Sequence, residues 1–282
     1  MSQQVLRVPK HPNWPSERSQ ASAIFRDMPK TRRPAPEKVR QALVNQWQAH
    51  IAYAARLTPE QLAAPSKLTG WDVNMLVGHV AFTVNTVVAR AAEPVAGAQA
   101  EVYDWMTATP TASGVVDSGT RQLVEDGVVL ADEVAEAEKI MQRYGDEDLI
   151  AMRFGPMRFD DFLVSRIVEA TVHADDLERS TGVEFPQDRE ALAITVRQLA
   201  DAMAVKVPGN SVELRVPPFA AVQCVPGPRH TRGTPPNVVE MAPRTWIRLA
   251  AGRMTWAEAR ADALVSASGQ RADLNEFLPL MG

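Results

Sequence analysis

Histidine is scarce in this chain, and two of its five histidines stand where a reaction could use them. His11 lies in a Pro-rich N-terminal stretch, and His50 lies in a helical run with nothing nearby to recruit it. His79 follows Gly78 in the apolar run VNMLVGHVAF, and His173 sits in SRIVEATVHADDLE. Glu169 precedes His173 by four residues. Positions i and i+4 of a helix share a face, so the carboxylate and the imidazole converge. A carboxylate among Ile167, Val168 and Ala170 is costly to bury without a cation or hydrogen bonds. A divalent metal held by Glu169, His173 and, from another helix, His79 would satisfy all three. Two imidazoles and one carboxylate leave a position open for water or substrate, as in catalytic zinc sites, and the same set serves non-haem iron. The alternative is a hydrogen bond from either residue to a neighbouring helix with no metal present, since pairs at this spacing are common.

The elements that must position these residues read as helices over the first two-thirds. Residues 36–57 open with Pro36 and continue in good helix formers. Thr58-Pro59-Glu60-Gln61 has the form of a capping box on a short second helix. Residues 68–72 form a turn, and Asp72 caps a helix that carries His79 to about Ala92. Residues 120–143 place Leu123, Val128, Leu130, Val134, Ile140 and Met141 at helical spacing and predict one long amphipathic helix with an acidic outer face. A hairpin-like connection around Gly155-Pro156 spans 149–159. Asp160 or Asp161 then starts the helix bearing Glu169 and His173, closed by Thr181-Gly182. Residues 186–205 are a further helix, and four principal helices predict a bundle.

After Pro208-Gly209 the character changes. Residues 211–216 and 219–225 are strand-like, 226–236 are turn-rich, and 238–241 and 264–268 supply further strands. Residues 243–250, 256–261 and 272–278 are short helices. This is an α+β domain. The predicted organisation is a basic, Pro-rich extension over 1–35, a bundle over 36–207 and the small domain over 208–282.

Composition excludes several classes. With 45% hydrophobic and 23% charged residues the chain has globular proportions, and one cysteine cannot form an internal disulfide or a Cys-rich metal site. The net charge of -4 argues against a nucleic-acid partner. Residues 1–40 hold nine Lys/Arg against three Asp/Glu, so the basic charge is concentrated in a solvated tail or a partner-binding arm. Residues 101–148 hold 12 acids against three bases, the signature of a solvated face. The sequence has no secretory h-region and no apolar run near 20 residues, which predicts a cytoplasmic protein with no membrane span.

Two stretches resemble known families. Residues 57–82 carry Gly70-Trp71-Asp72-Val73 and then His79, and residues 166–178 carry Glu169, His173 and Asp176-Leu177. Together they resemble the DinB-like bundle of the mycothiol-dependent maleylpyruvate isomerase family over about residues 36–206. Residues 210–282, above all GPRHTRGTPPNVVE, resemble the bacterial sterol carrier family domain of the kind found fused to that bundle in actinobacterial proteins. The implied fold class is α + (α+β): an N-terminal DinB-like four-helix bundle, then a small sterol-carrier-like α+β domain. The implied ligands of a zinc ion are His79, Glu169 and His173. The implied cofactors are zinc and mycothiol or another small thiol, and the implied activity is isomerisation or thiol transfer on a small electrophilic, carboxylate-bearing substrate.

Other residues carry two readings each. Arg229, His230, Arg232 and Asn237 share one Gly/Pro-rich loop and would form either an anion clamp, the Arg as catalytic groups and Asn237 as a substrate contact, or a loop stiffened by backbone bonds. Arg253, in Ala251-Gly252-Arg253, would face the metal cleft as a catalytic group or would neutralise a helix C-terminus. Asp176 would hydrogen-bond a ligand imidazole or stand exposed. Cys224 reads as a small core residue rather than a nucleophile with His230 as base. Trp47, Trp71, Trp246 and Trp256 read as core anchors. Other functions are a lipid or apolar-ligand carrier with a structural metal, or an interaction module recruited through the tail. The oligomeric state is expected to be monomer or homodimer.

Overall fold

The computed structural model describes residues 32–281 apart from Pro94, Ala98 and residues 228–235. Ten helices and six short strands occur among the described residues. Helix α1 (Pro36–Ala54) starts with proline in its first turn, where a missing N–H costs nothing. Helix α2 (Pro59–Leu62) begins on the capping box read in the sequence: Thr58 and Gln61 each bond the other's backbone N–H. Asp72 accepts from Met75 N and starts α3 (Val73–Ala91). A helix that the sequence reading did not anticipate follows, α4 (Val102–Ala108).

The long helix expected over 120–143 is two helices, α5 (Ser113–Glu125) and α6 (Leu130–Met141). Gly127 breaks them with φ +68°. Gly127 N bonds Val124 O and Val128 N bonds Leu123 O, the paired bonds of a glycine-terminated helix end. Two β-branched valines follow at once and carry the chain in extended conformation into α6. The expected hairpin is present as β1 (Leu149–Ile150) against β2 (Met157–Arg158). Helix α7 (Phe159–Thr181) is the longest and ends at Gly182, φ +71°. Helix α8 (Arg189–Lys206) is capped by Asp188.

Helices α1, α7, α3 and α6 close a four-membered ring: α1 packs on α7 and α6, and α3 packs on the same two. Helix α5 lies outside, against α3. Ring and sheet share one continuous core, from Val39 and Trp47 through Phe162 and Ile167 to Leu214 and Trp246.

The C-terminal sheet comprises β3 (Val212–Val216), β4 (Ala220–Cys224), β5 (Val238–Met241) and β6 (Val265–Ser268), in the order β4-β3-β5-β6. Strand β5 is parallel to β3, and the other pairs are antiparallel. Val212, Leu214 and Val216 are buried while Glu213 and Arg215 face out, the period-2 alternation of a one-sided sheet. Two helices, α9 (Pro243–Ala250) and α10 (Trp256–Ala261), connect β5 to β6. The last helix expected, over 272–278, is only a 3-10 turn, Asn275–Phe277. Helix α8 touches α1 and α7 on one side and β4 and α9 on the other, so it serves both the bundle and the sheet. Among the described residues no helix is long and apolar enough to cross a membrane.

Candidate functional site

His79, on α3, and His173, on α7, meet edge to face with ring centroids 4.6 Å apart. Both are buried, at 5% and 8% exposure. On the α5 side, the packing at His79 depends on Gly78. A Cβ there would lie 2.2 Å from Val124 Cγ2, so only glycine lets α5 close on α3 at this level. That closure brings Thr120 of α5 to His79, with Oγ1 3.2 Å from Nδ1. On the other ring, His173 Nδ1 is 3.2 Å from Asp176 Oδ2. Each Nδ1 therefore has a partner, while neither Nε2 has a hydrogen bond among the described residues.

Burial pushes the His79 imidazole well below its ordinary value, with further lowering from the nearby His173, Arg166 and Arg253 charges. His79 is thus neutral at neutral pH, the form that donates a lone pair to a metal. Burial alone would raise the Asp176 carboxyl, but the hydrogen bond from His173 and the Arg253 guanidinium hold it below the usual range.

Glu169 departs from the expected convergence. Its Oε2 lies 2.6 Å from Arg166 Nη1, one turn back along α7. The approach is close, yet among the described residues Oε2 makes no hydrogen bond. Arg166 is itself buried, bonded to Ser165 Oγ and Thr86 Oγ1 and lying over the Trp105 and Phe162 rings. A guanidinium in that setting needs a counter-charge, and Glu169 is the nearest carboxylate. Among the described residues no three His, Cys, Asp or Glu side chains gather closely enough to hold a metal ion. The donor chemistry nevertheless suits zinc: two imidazoles with Nε2 unengaged, and a buried carboxylate oxygen lacking a donor. A metal bound by all three would have to draw Glu169 away from Arg166.

Trp71 was expected to be a core anchor. It is half-buried instead and faces the site, 5.1 Å from the His79 ring, with Nε1 donating to Asp117 Oδ1 at 2.7 Å. Phe82 stacks on the other flank of His79 at 6.1 Å. Its position one turn after His79 was the available signal. Arg166, three residues before Glu169, was missed because an arginine inside an apolar helix reads as a surface residue.

The remaining candidates divide. Arg229, His230 and Arg232 lie outside the described residues. Asn237 donates to Ser211 O at 2.7 Å and accepts from Arg271 N at 3.0 Å. Both ends of its amide thus tie loop backbone together, the structural one of its two readings. Arg253 was read either as a catalytic group facing the cleft or as a cation at a helix C-terminus, and it stands one carboxylate away from His173. Its Nε lies 3.0 and 3.1 Å from the two Asp176 oxygens, and Nη1 donates to Ala251 O. The physical reason is that Asp176 is fully buried and needs a cation. Cys224 is buried, its thiol pushed up to about 12 by desolvation, which leaves it inert at neutral pH.

Residues 43–178 match the family described as the mycothiol maleylpyruvate isomerase N-terminal domain, and residues 188–280 match the one described as bacterial SCP ortholog. The second match begins ahead of α8 and so includes that helix with the sheet. Among solved structures, the crystal structure of a mycothiol-dependent maleylpyruvate isomerase is similar with a TM-score of 0.55 and 15% identity, covering 85% of this chain and 95% of that one. A mutant of that enzyme gives 0.53 and 14% with the same coverage. At such identity the likeness is one of fold. Among curated proteins none matches the sequence.

Proposed function

With the bundle matching the mycothiol maleylpyruvate isomerase N-terminal domain and the sheet region matching the bacterial SCP ortholog, we propose that this protein is a small-thiol-dependent enzyme. Its reaction is isomerisation or thiol transfer on a small, electrophilic substrate bearing a carboxylate. The thiol is mycothiol or a close analogue, and the compartment is the cytoplasm. The observation that carries the reading is the buried His79–His173 pair, 4.6 Å between centroids, with both Nε2 atoms unengaged.

His79, His173 and Glu169 would hold a zinc ion. Zinc and the small thiol, when bound, supply a thiolate at neutral pH that adds reversibly to an electron-poor double bond. The chain's own residues prepare the place. Thr120 and Asp176 fix the two rings through Nδ1, as the partners of ligating histidines do. Burial keeps His79 unprotonated. Trp71 and Phe82 place apolar rings beside His79. Arg229 or Arg232 would receive the substrate carboxylate, a planar fork matching a planar anion, with His230 beside them.

The lipid-carrier alternative needs a cavity under the sheet. The inward side chains Val212, Leu214 and Val216 belong to the apolar core that the sheet shares with the bundle. The test is metal analysis of the native protein with a His79→Ala comparison. The expected result is about one zinc per chain, as in other sites of this ligand type, lost in the variant together with thiol-dependent turnover. Protein free of zinc, with the variant unchanged in metal content and turnover, overturns the reading.

A further inference from the structure

Three acids near the C-terminal end of α7 are each gripped by an arginine from the sheet domain. Arg248 forks onto Asp175 at 2.7–3.1 Å, and Arg244 pairs with Glu178. Between them Arg253 takes Asp176. Among the described residues the outer two pairs sit on half-buried or exposed arginines and reach no histidine: Asp175 meets only Arg248, and Glu178 also accepts from Phe185 N. The central one continues. Asp176 is fully buried, and its Oδ2, 3.1 Å from Arg253 Nε, also lies 3.2 Å from His173 Nδ1. Arg179 stands further off, 3.9 Å from Oδ1.

The placement of Arg253 is built into the backbone. Helix α9 ends with Gly252 at φ +68°. Gly252 N bonds Leu249 O, and Arg253 N bonds Arg248 O. This bond pair fixes the first residue after the left-handed glycine, which here is Arg253. Arg253 Nη1 is then tied to Ala251 O, so the guanidinium is oriented from its own side before it meets Asp176.

We propose that Arg253 is a positioning residue: docking of the C-terminal domain orients Asp176, and Asp176 holds His173 as the Nδ1–H tautomer with Nε2 bare. The bundle alone would then lack a fully prepared His173. The proposal rests on His173 being a ring whose Nε2 is used, as in the function proposed above. A neutral imidazole has two tautomers, and the hydrogen bond at one nitrogen decides which nitrogen is left as acceptor. With both Asp176 oxygens facing Arg253 Nε, the carboxylate plane is fixed and Oδ2 points at Nδ1. Without Arg253 the carboxylate is free to turn towards Arg179.

The test uses the full chain labelled with nitrogen-15 and long-range proton–nitrogen correlation of the histidine rings, with His173 assigned by its loss in His173→Gln. Wild type shows His173 as the Nδ1–H form. Arg253→Ala and the gentler Arg253→Gln are expected to give mixed tautomers at His173 and to weaken zinc binding about tenfold or more, the usual cost of removing such a partner. Arg248→Ala, which loosens docking without touching Asp176, is expected to leave His173 in the wild-type form. In an Asp176→Asn background, Arg253→Ala is expected to add no further change. An unchanged His173 in both Arg253 variants overturns the proposal. So does an Arg248→Ala shift as large as theirs, because docking alone would then account for it. A wild-type protein without thiol chemistry would sink the proposed function and leave this tautomer result standing.

Discussion

His50 makes the stability of this protein depend on pH in a way that one substitution isolates. The ring lies wholly inside the bundle, with Nε2 donating to Ala170 O of α7 at 2.8 Å and its face 4.6 Å from Phe185. Nδ1 has no partner. Protonation would bury a second N–H with nothing to accept it. Burial accordingly lowers the imidazole from 6.5 to about 4, against the raising effect of the Ala170 bond and with a smaller push from His173. The native state thus binds its proton later than the unfolded chain does. The stability tied to neutral His50 is complete above about pH 6.5 and is lost as pH falls towards about 4. At about 1.36 kcal/mol per unit, that loss is about 3 kcal/mol. Wild type alone would hide it. Burial first and the Asp146 charge second, working against Arg40, raise Asp160 to about 6, so it gains stability as pH falls through the same window. In His50→Gln the amide can still donate to Ala170 O but has no proton to take up. Urea unfolding of both proteins from about pH 7.5 to about pH 4 should show wild type's advantage shrinking by about 3 kcal/mol. A difference that stays constant with pH refutes the argument, because the ring would then titrate alike folded and unfolded.

Gly78→Ala should destabilise the protein by about 1–2 kcal/mol, the overpacking penalty less a gain in helix propensity. Adding Val124→Ala should restore most of the loss, since Val124 Cγ2 is the atom the new methyl meets; thermal melts of the single and double variants decide it. Arg166→Gln should tighten zinc binding about tenfold or more, because the buried guanidinium that competes with the metal for Glu169 is removed. Weaker zinc binding in that variant would show instead that Arg166 supports the carboxylate as a ligand.

The elements around the site were legible where one local signal was sufficient. The capping box at Thr58, Asp72 ahead of α3 and Gly182 after α7 each act through their own backbone neighbours. Gly127 was the same kind of signal, outweighed by apolar spacing that runs in phase across the break. Periodicity records which face is buried and is blind to a chain that leaves the helix and resumes on the same side.

The pairing of His79 with His173 was reachable from helix faces and from the family resemblance, because burial of an imidazole beside apolar residues asks for a partner. The charges around that pair were not reachable. Whether Glu169 meets a metal or Arg166 depends on where a buried guanidinium finds its counter-ion, and Arg166 is placed by Trp105 and Thr86 on other helices. Whether Arg253 meets substrate or Asp176 depends on the docking of a domain 77 residues further along the chain. Spacing within one helix names the groups that can share a face. Their partners are set by whichever opposite charge the tertiary fold brings to an interior that tolerates neither charge alone. The His173 ring stands where those two levels meet: its face follows from α7, and the hydrogen bond at its Nδ1 follows from the residue that Asp176 is given to hold.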